Sequence, residues 1–116
     1  MTPAERRRSL ARLQDLAAMI RDREMAALRA ATLAREASEA RLANLARPLP
    51  CPGLYPVAAA LAEIRWQKWA DQRRAEINMQ LSRQIVDCNQ ARAKACDAFA
   101  RAEVLGKLQR GPDHAS

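Results

Sequence analysis

Apolar residues in the first part of the chain return every three or four positions: Leu10, Leu13, Ala17, Ile20, Ala27, Ala31, Ala34, Leu42 and Leu45. That period matches one face of an α-helix, and polar residues fill the positions between. Glu24 and Ser38 fall on the same seam and weaken it. The start is marked by "TPAE", in which Thr2 can cap the helix, Pro3 suits its first position and Glu5 completes a capping box. No Gly or Pro follows until Pro48. The pattern predicts a helix over about 3–46, roughly 66 Å long, and that length without a large core implies a coiled coil.

A second helix is predicted over about 57–110. It is stopped by Gly111 and Pro112. Its expected seam is Leu61, Ile64, Ile77, Leu81, Ile85, Cys88, Ala95, Phe99, Ala102 and Leu105, with Gly106 a weak point near the end. Asp97 with Arg101 and Glu103 with Lys107 have the favourable acid-first spacing of four.

Between the helices stands "ARPLPCPGLYP", where Pro48, Pro50, Pro52 and Pro56 crowd around Gly53. Proline lacks a backbone donor and clashes with the preceding turn, so a helix cannot run through this stretch. Residues 47–56 are therefore expected to reverse the chain. The fold class predicted is all-α, two long helices in an antiparallel coiled-coil hairpin that forms a single domain over 1–116, with a disordered tail at 111–116. The second helix is the longer, so its C-terminal end is expected to overhang by about 15 Å if pairing starts at the turn.

Composition narrows the functional classes. Of the 116 residues 49% are hydrophobic, but nearly half of these are alanine and only 3% of the chain is aromatic, too little bulk for a large globular core. No apolar run reaches the length of a membrane span, so no membrane insertion is expected. The opening "MTPAERRRSL" lacks the apolar stretch of a secretory signal, which leads us to expect a cytoplasmic protein. Cys51, Cys88 and Cys96 form no CxxC pair, and Cys88 and Cys96 are about 12 Å apart along one helix, too far to bridge. They read as reduced thiols. His114 has no Cys or His companion, so neither a metal nor any other cofactor is expected.

The net charge is +7. Such a balance suits nucleic acid, an anionic surface or an acidic protein partner. The excess is spread evenly, however, with "RRR" at Arg6, Arg7 and Arg8 the sole cluster, and this argues against nucleic acid. There is no Gly-rich phosphate loop and no histidine beside a nucleophile, and the chain reads as a non-enzyme. The informative residues lie in "EIRWQKWADQRRAEIN". Trp66, Arg73 and Ile77, with Trp69 beside them, approximate one helical stripe, and tryptophan with arginine is common hot-spot chemistry at protein interfaces. The alternative is that one or both tryptophans pack beneath the turn and close the hairpin.

The layout of a long first helix, a mid-chain turn, a "W-x-x-W-x-x-Q-R-x-x-x-I" type segment and a closing "AFARAEVLGKLQR" resembles the FliJ and YscO group of type III export proteins. The likeness covers nearly the whole chain. It implies a non-enzymatic stalk of a flagellar or injectisome export ATPase, peripheral at the export apparatus. Its paired ends, with Arg6, Arg7, Arg8 and Lys107, would meet the ATPase ring, and the region of Trp66, Trp69, Arg73 and Ile77 would meet the export-gate protein. Export chaperones are a further partner the resemblance leaves open. Two other classes stay open: a basic coiled-coil scaffold that dimerises as a four-helix bundle, and a nucleic-acid binder.

Overall fold

A computed structural model describes residues 1–46, 53 and 55–111. The fold is all-α: α1 spans Pro3–Leu45 and α2 spans Pro56–Arg110, each within a residue of its expected bounds. Most of the expected turn at 47–56, and the tail beyond Gly111, lie outside the described residues. The capping box forms as the sequence implies: the Thr2 amide donates to Glu5 Oε2 and the Glu5 amide to Thr2 Oγ1, both at 3.1 Å. At the far end Gly111 takes φ +80° and its amide donates to the carbonyls of Lys107 and Leu108, each at 3.2 Å. A left-handed residue at this point closes the last helical turn, and glycine reaches it without strain. Gly106 does not break α2, which continues for another turn.

The chain divides into two units, and each helix contributes to both. The first contains residues 1–32 of α1 and the α2 segment from Asp87 onward. Gln14 lies against Gly106, and Thr32 Oγ1 is 3.7 Å from Cys88 Sγ. Moving forward along α1 from Gln14 to Thr32 thus matches moving back along α2 from Gly106 to Cys88, which makes the pairing antiparallel. The same register brings Leu10 level with Arg110. The overhang in this unit therefore belongs to α1, whose residues Pro3–Ser9 run about 10 Å past the end of α2. The expected C-terminal overhang of α2 is not found.

The seam of this unit differs from the one the apolar pattern implies. On α2 the inward line is Cys88, Ala91, Ala95, Ala98, Ala102 and Leu105. On α1 it is Leu10, Gln14, Ala17, Arg21, Glu24, Leu28 and Ala31, while Leu13, Ile20, Ala27 and, on α2, Phe99 face outward. Alanines let two backbones approach closely, so that many atom pairs reach van der Waals distance. Larger side chains at the alanine positions of α2 would hold the backbones apart. The long polar residues of α1 complete the seam by lying along it on their aliphatic stems, with the Glu24 side chain only 19% exposed.

The second unit contains residues 33–86. Here Arg41 Nη2 donates to Ser38 Oγ at 2.9 Å and to Gln80 Oε1 at 3.0 Å, and Ser38 is fully buried. This contact brings the end of α1 at Leu45 level with Glu76, so α2 from Pro56 to Ala75 is helix beyond the end of α1. The inward positions of α2 record the change. From Ile77 to Gln84 they step by four and three, the heptad rhythm of paired helices, whereas Ala62, Trp66, Ala70 and Arg74 step by four each time. A run of fours abandons the left-handed supercoil, and the helix does so where it has no neighbouring α1 to wrap. Leu61, Ile64 and Ile85, expected inside, are exposed, and so is Ala34 on α1.

Candidate interaction surfaces

The aromatic segment sits on the part of α2 that has passed the end of α1. Trp66 and Trp69 are three residues apart, close enough on a helix for their rings to meet. Their centroids lie 5.1 Å apart with the planes tilted by 32°. Trp66 belongs to the inward line with Ala62 and Ala70 and is half-buried, whereas Trp69 is 51% exposed. The half-buried indole acts as a shelf for the exposed one. One turn on, Arg73 is exposed and its Nη1 donates to Glu76 Oε2 at 3.1 Å. Arg74, by contrast, is half-buried and pairs with Asp71 at 2.7 Å.

Of the four residues expected to form one stripe, the structure thus presents Trp69 and Arg73 together. Ile77 is 3% exposed and part of the seam, so it is unavailable to a partner. Trp66 is only partly accessible. The opposite face of the same helix segment shows Val57, Leu61 and Ile64, all exposed and spaced by four and three. Of these, Leu61 and Ile64 were assigned inward by the apolar pattern. The signal that could have placed them outside is the row Ala59, Ala62 and Ala70, whose spacing is as regular but whose small side chains carry little hydrophobic weight.

The basic group falls in the first unit. Arg6, Arg7 and Arg8 are exposed on the overhanging start of α1, and Lys107 and Arg110 are exposed on the last turn of α2. The antiparallel register brings both sets to the same end of that unit. Arg8 Nε lies 3.5 Å from the Ala4 carbonyl, a contact too long to restrain the side chain. These cations are exposed, and no described carboxylate is paired with Arg6, Arg7, Arg8 or Lys107. Among the described residues no group of three or more His, Cys, Asp or Glu could hold a metal ion, and no helix is long and apolar enough to cross a membrane.

No family model, curated protein or solved structure matches this chain. The resemblance to the FliJ and YscO group consequently rests on the layout of its residues.

Proposed function

We propose that the chain is a non-enzymatic helical stalk of a flagellar or type III export ATPase, joining the ATPase ring to the export gate. The observation that carries this reading is that Trp69, stacked on Trp66, and Arg73 one turn further on are both exposed on helix that extends past the end of α1. An exposed indole backed by a second indole, next to a tethered guanidinium, is the composition of an interface anchor. The basic end of the first unit supplies a second contact of a different kind, through Arg6, Arg7, Arg8 and Lys107.

The two contacts respond differently to mutation. Replacing Trp69 and Arg73 together with alanine is expected to weaken binding to the export-gate protein by roughly 30-fold or more, the loss of a hot spot of about 2 kcal/mol. Melting temperature and ring affinity should hardly change, because Trp69 is not part of the seam. Charge reversal at Arg6, Arg7, Arg8 and Lys107 should instead weaken the ring contact, more at low salt than at high, since exposed charges are screened beyond about 10 Å at 0.1 M. Trp66→Ala should lower stability by about 1 to 3 kcal/mol and affect every interaction together. A purified chain that binds neither component would overturn the stalk. Duplex binding that collapses with salt would favour the nucleic-acid class, and a stable dimer the scaffold.

A further inference from the structure

The outward side of α2 in the second unit carries a stripe that its pairing with α1 leaves open. It begins with Val57, Leu61 and Ile64 and ends with Met79 and Val86, large apolar side chains that are each more than half exposed. Lys68 lies on the same line. Arg65 follows Leu61 by four positions and Arg83 follows Met79 by four, so both stand beside the line, and all three cations are exposed. The other positions on it, Gln72, Ala75 and Ser82, are uncharged, and the Ser82 hydroxyl already donates to the Asn78 carbonyl at 2.9 Å. No acid belongs to the stripe. The acids that flank it are committed elsewhere, Asp71 to Arg74 at 2.7 Å and Glu76 to Arg73 at 3.1 Å. Arg65, Lys68 and Arg83, by contrast, pair with no carboxylate among the described residues.

We infer that this stripe docks on the surface of an anionic lipid bilayer, with its segment of α2 lying in the plane of the membrane. Charge and shape together select that partner. At such a surface aliphatic side chains enter the boundary between headgroups and acyl chains, while Lys and Arg beside them extend their stems to anionic headgroups. Unpaired cations at irregular intervals need no matching set of carboxylates there, because the surface is negative throughout. The steps along the line are four, three, four, four, three, four, three and four. The two successive fours through Ile64, Lys68 and Gln72 break the heptad rhythm that winds helices around each other, so the stripe runs straight along the helix for about 43 Å. A straight convex ridge meets a plane along its whole length. Over residues 56–75 α2 has passed the end of α1, so the ridge has no second helix beside it to form a groove for a visiting helix. A second copy of this chain does not supply what the stripe lacks. Pairing two stripes would gather the unpaired cations of both chains in one interface without a free acid, between chains of net charge +7. This inference is independent of the stalk reading, because it uses neither Trp69 and Arg73 nor the basic end.

The test sediments the full chain with vesicles of phosphatidylcholine alone and of phosphatidylcholine mixed with phosphatidylglycerol. The mixed vesicles are expected to bind at least roughly tenfold more tightly, and less so as salt is raised. Arg65→Glu with Lys68→Glu should remove that preference. The neutral pair Leu61→Ser with Ile64→Ser should weaken binding to the mixed vesicles by roughly tenfold or more, which a purely electrostatic contact would not show. Arg92→Glu with Lys94→Glu, in the other unit, changes the net charge equally and should leave binding nearly unaltered. Circular dichroism of each variant checks that the helices persist, as expected for exposed positions. Equal binding to the two kinds of vesicle, binding to neither, or an equal loss from the Arg92 and Lys94 changes would overturn the inference. So would self-association abolished by Leu61→Ser with Ile64→Ser, which would give the stripe to a second copy. An acidic helical peptide that binds more tightly than the mixed vesicles and depends on the same residues would give it instead to a protein.

Discussion

Gly106 is a helix-interior glycine with no backbone reason to be one. A Cβ there would meet Gln14 at 3.6 to 3.7 Å, ordinary van der Waals contact, and the residue does not take a positive φ. Gly106→Ala should therefore stabilise the protein by about 0.4 to 1 kcal/mol, chiefly by restricting the unfolded chain. A melting curve reads this as a rise of a few degrees. A fall would mean that the helices are closer at Gly106 than described. Gly111 is the opposite case. Its φ of +80° is one that an alanine adopts only at a cost of about 1 to 2 kcal/mol, although space is open around it. Two glycines five positions apart thus carry opposite expectations, and only backbone conformation separates them.

At the level of elements, the seam of the first unit is defined by small residues. Ala95, Ala98 and Ala102 are all nearly fully buried on α2, beside a fully buried Cys88. Ala95→Leu should consequently destabilise, by about 1 to 3 kcal/mol, because the added carbons must push two backbones apart. If Leu13 and Ile20 formed the core instead, a larger residue at this position would be neutral or helpful, so the sign of the change discriminates. The ends of both helices were legible in the chain, since a capping box, a proline cluster and a glycine followed by proline act locally. The inward face was legible only in part: Leu10, Ala17, Leu45, Ile77, Cys88, Ala95 and Ala102 lie inside as expected, whereas Leu13, Ile20, Ile85 and Phe99 do not. Alanine occurs on every side of α1, at Ala26, Ala27, Ala30, Ala31, Ala34 and Ala37, and it favours helix without favouring a direction. Leucine and isoleucine then dominate any periodicity, although here Leu13, Leu16 and Ile20 lie outside a seam that takes in Leu10, Leu28 and Leu105. The same cause misplaced Leu61 and Ile64. The tryptophans were recognised as informative, but which of them faces out depends on the four-residue steps that begin where α1 ends, a fact of pairing that single-helix spacing does not contain.

At the scale of the molecule, the ion pairs among the described residues do little to hold the helices together. The described ion pairs, such as Arg35 with Glu39 at 3.5 Å and Arg101 with Asp97 at 3.1 Å, join residues at most four apart within one helix. Pairs of that sort contribute about 0 to 1 kcal/mol each and do not connect α1 to α2. What joins the helices is the seam, and what remains outside it is the surface on which every proposed contact depends. The orientation of α1 against α2 is therefore the central claim, and cysteine cross-linking tests it most directly. With Cys51 and Cys96 changed to serine, Thr32→Cys should close an intramolecular disulfide with the buried Cys88 under mild oxidation, since the present side chains already stand 3.7 Å apart. Leu33→Cys and Ala34→Cys, which face outward, should stay reduced. A bridge formed from Ala34→Cys while Thr32→Cys remains reduced would contradict the account, because the leucine and isoleucine face of α1 would then be the one turned inward.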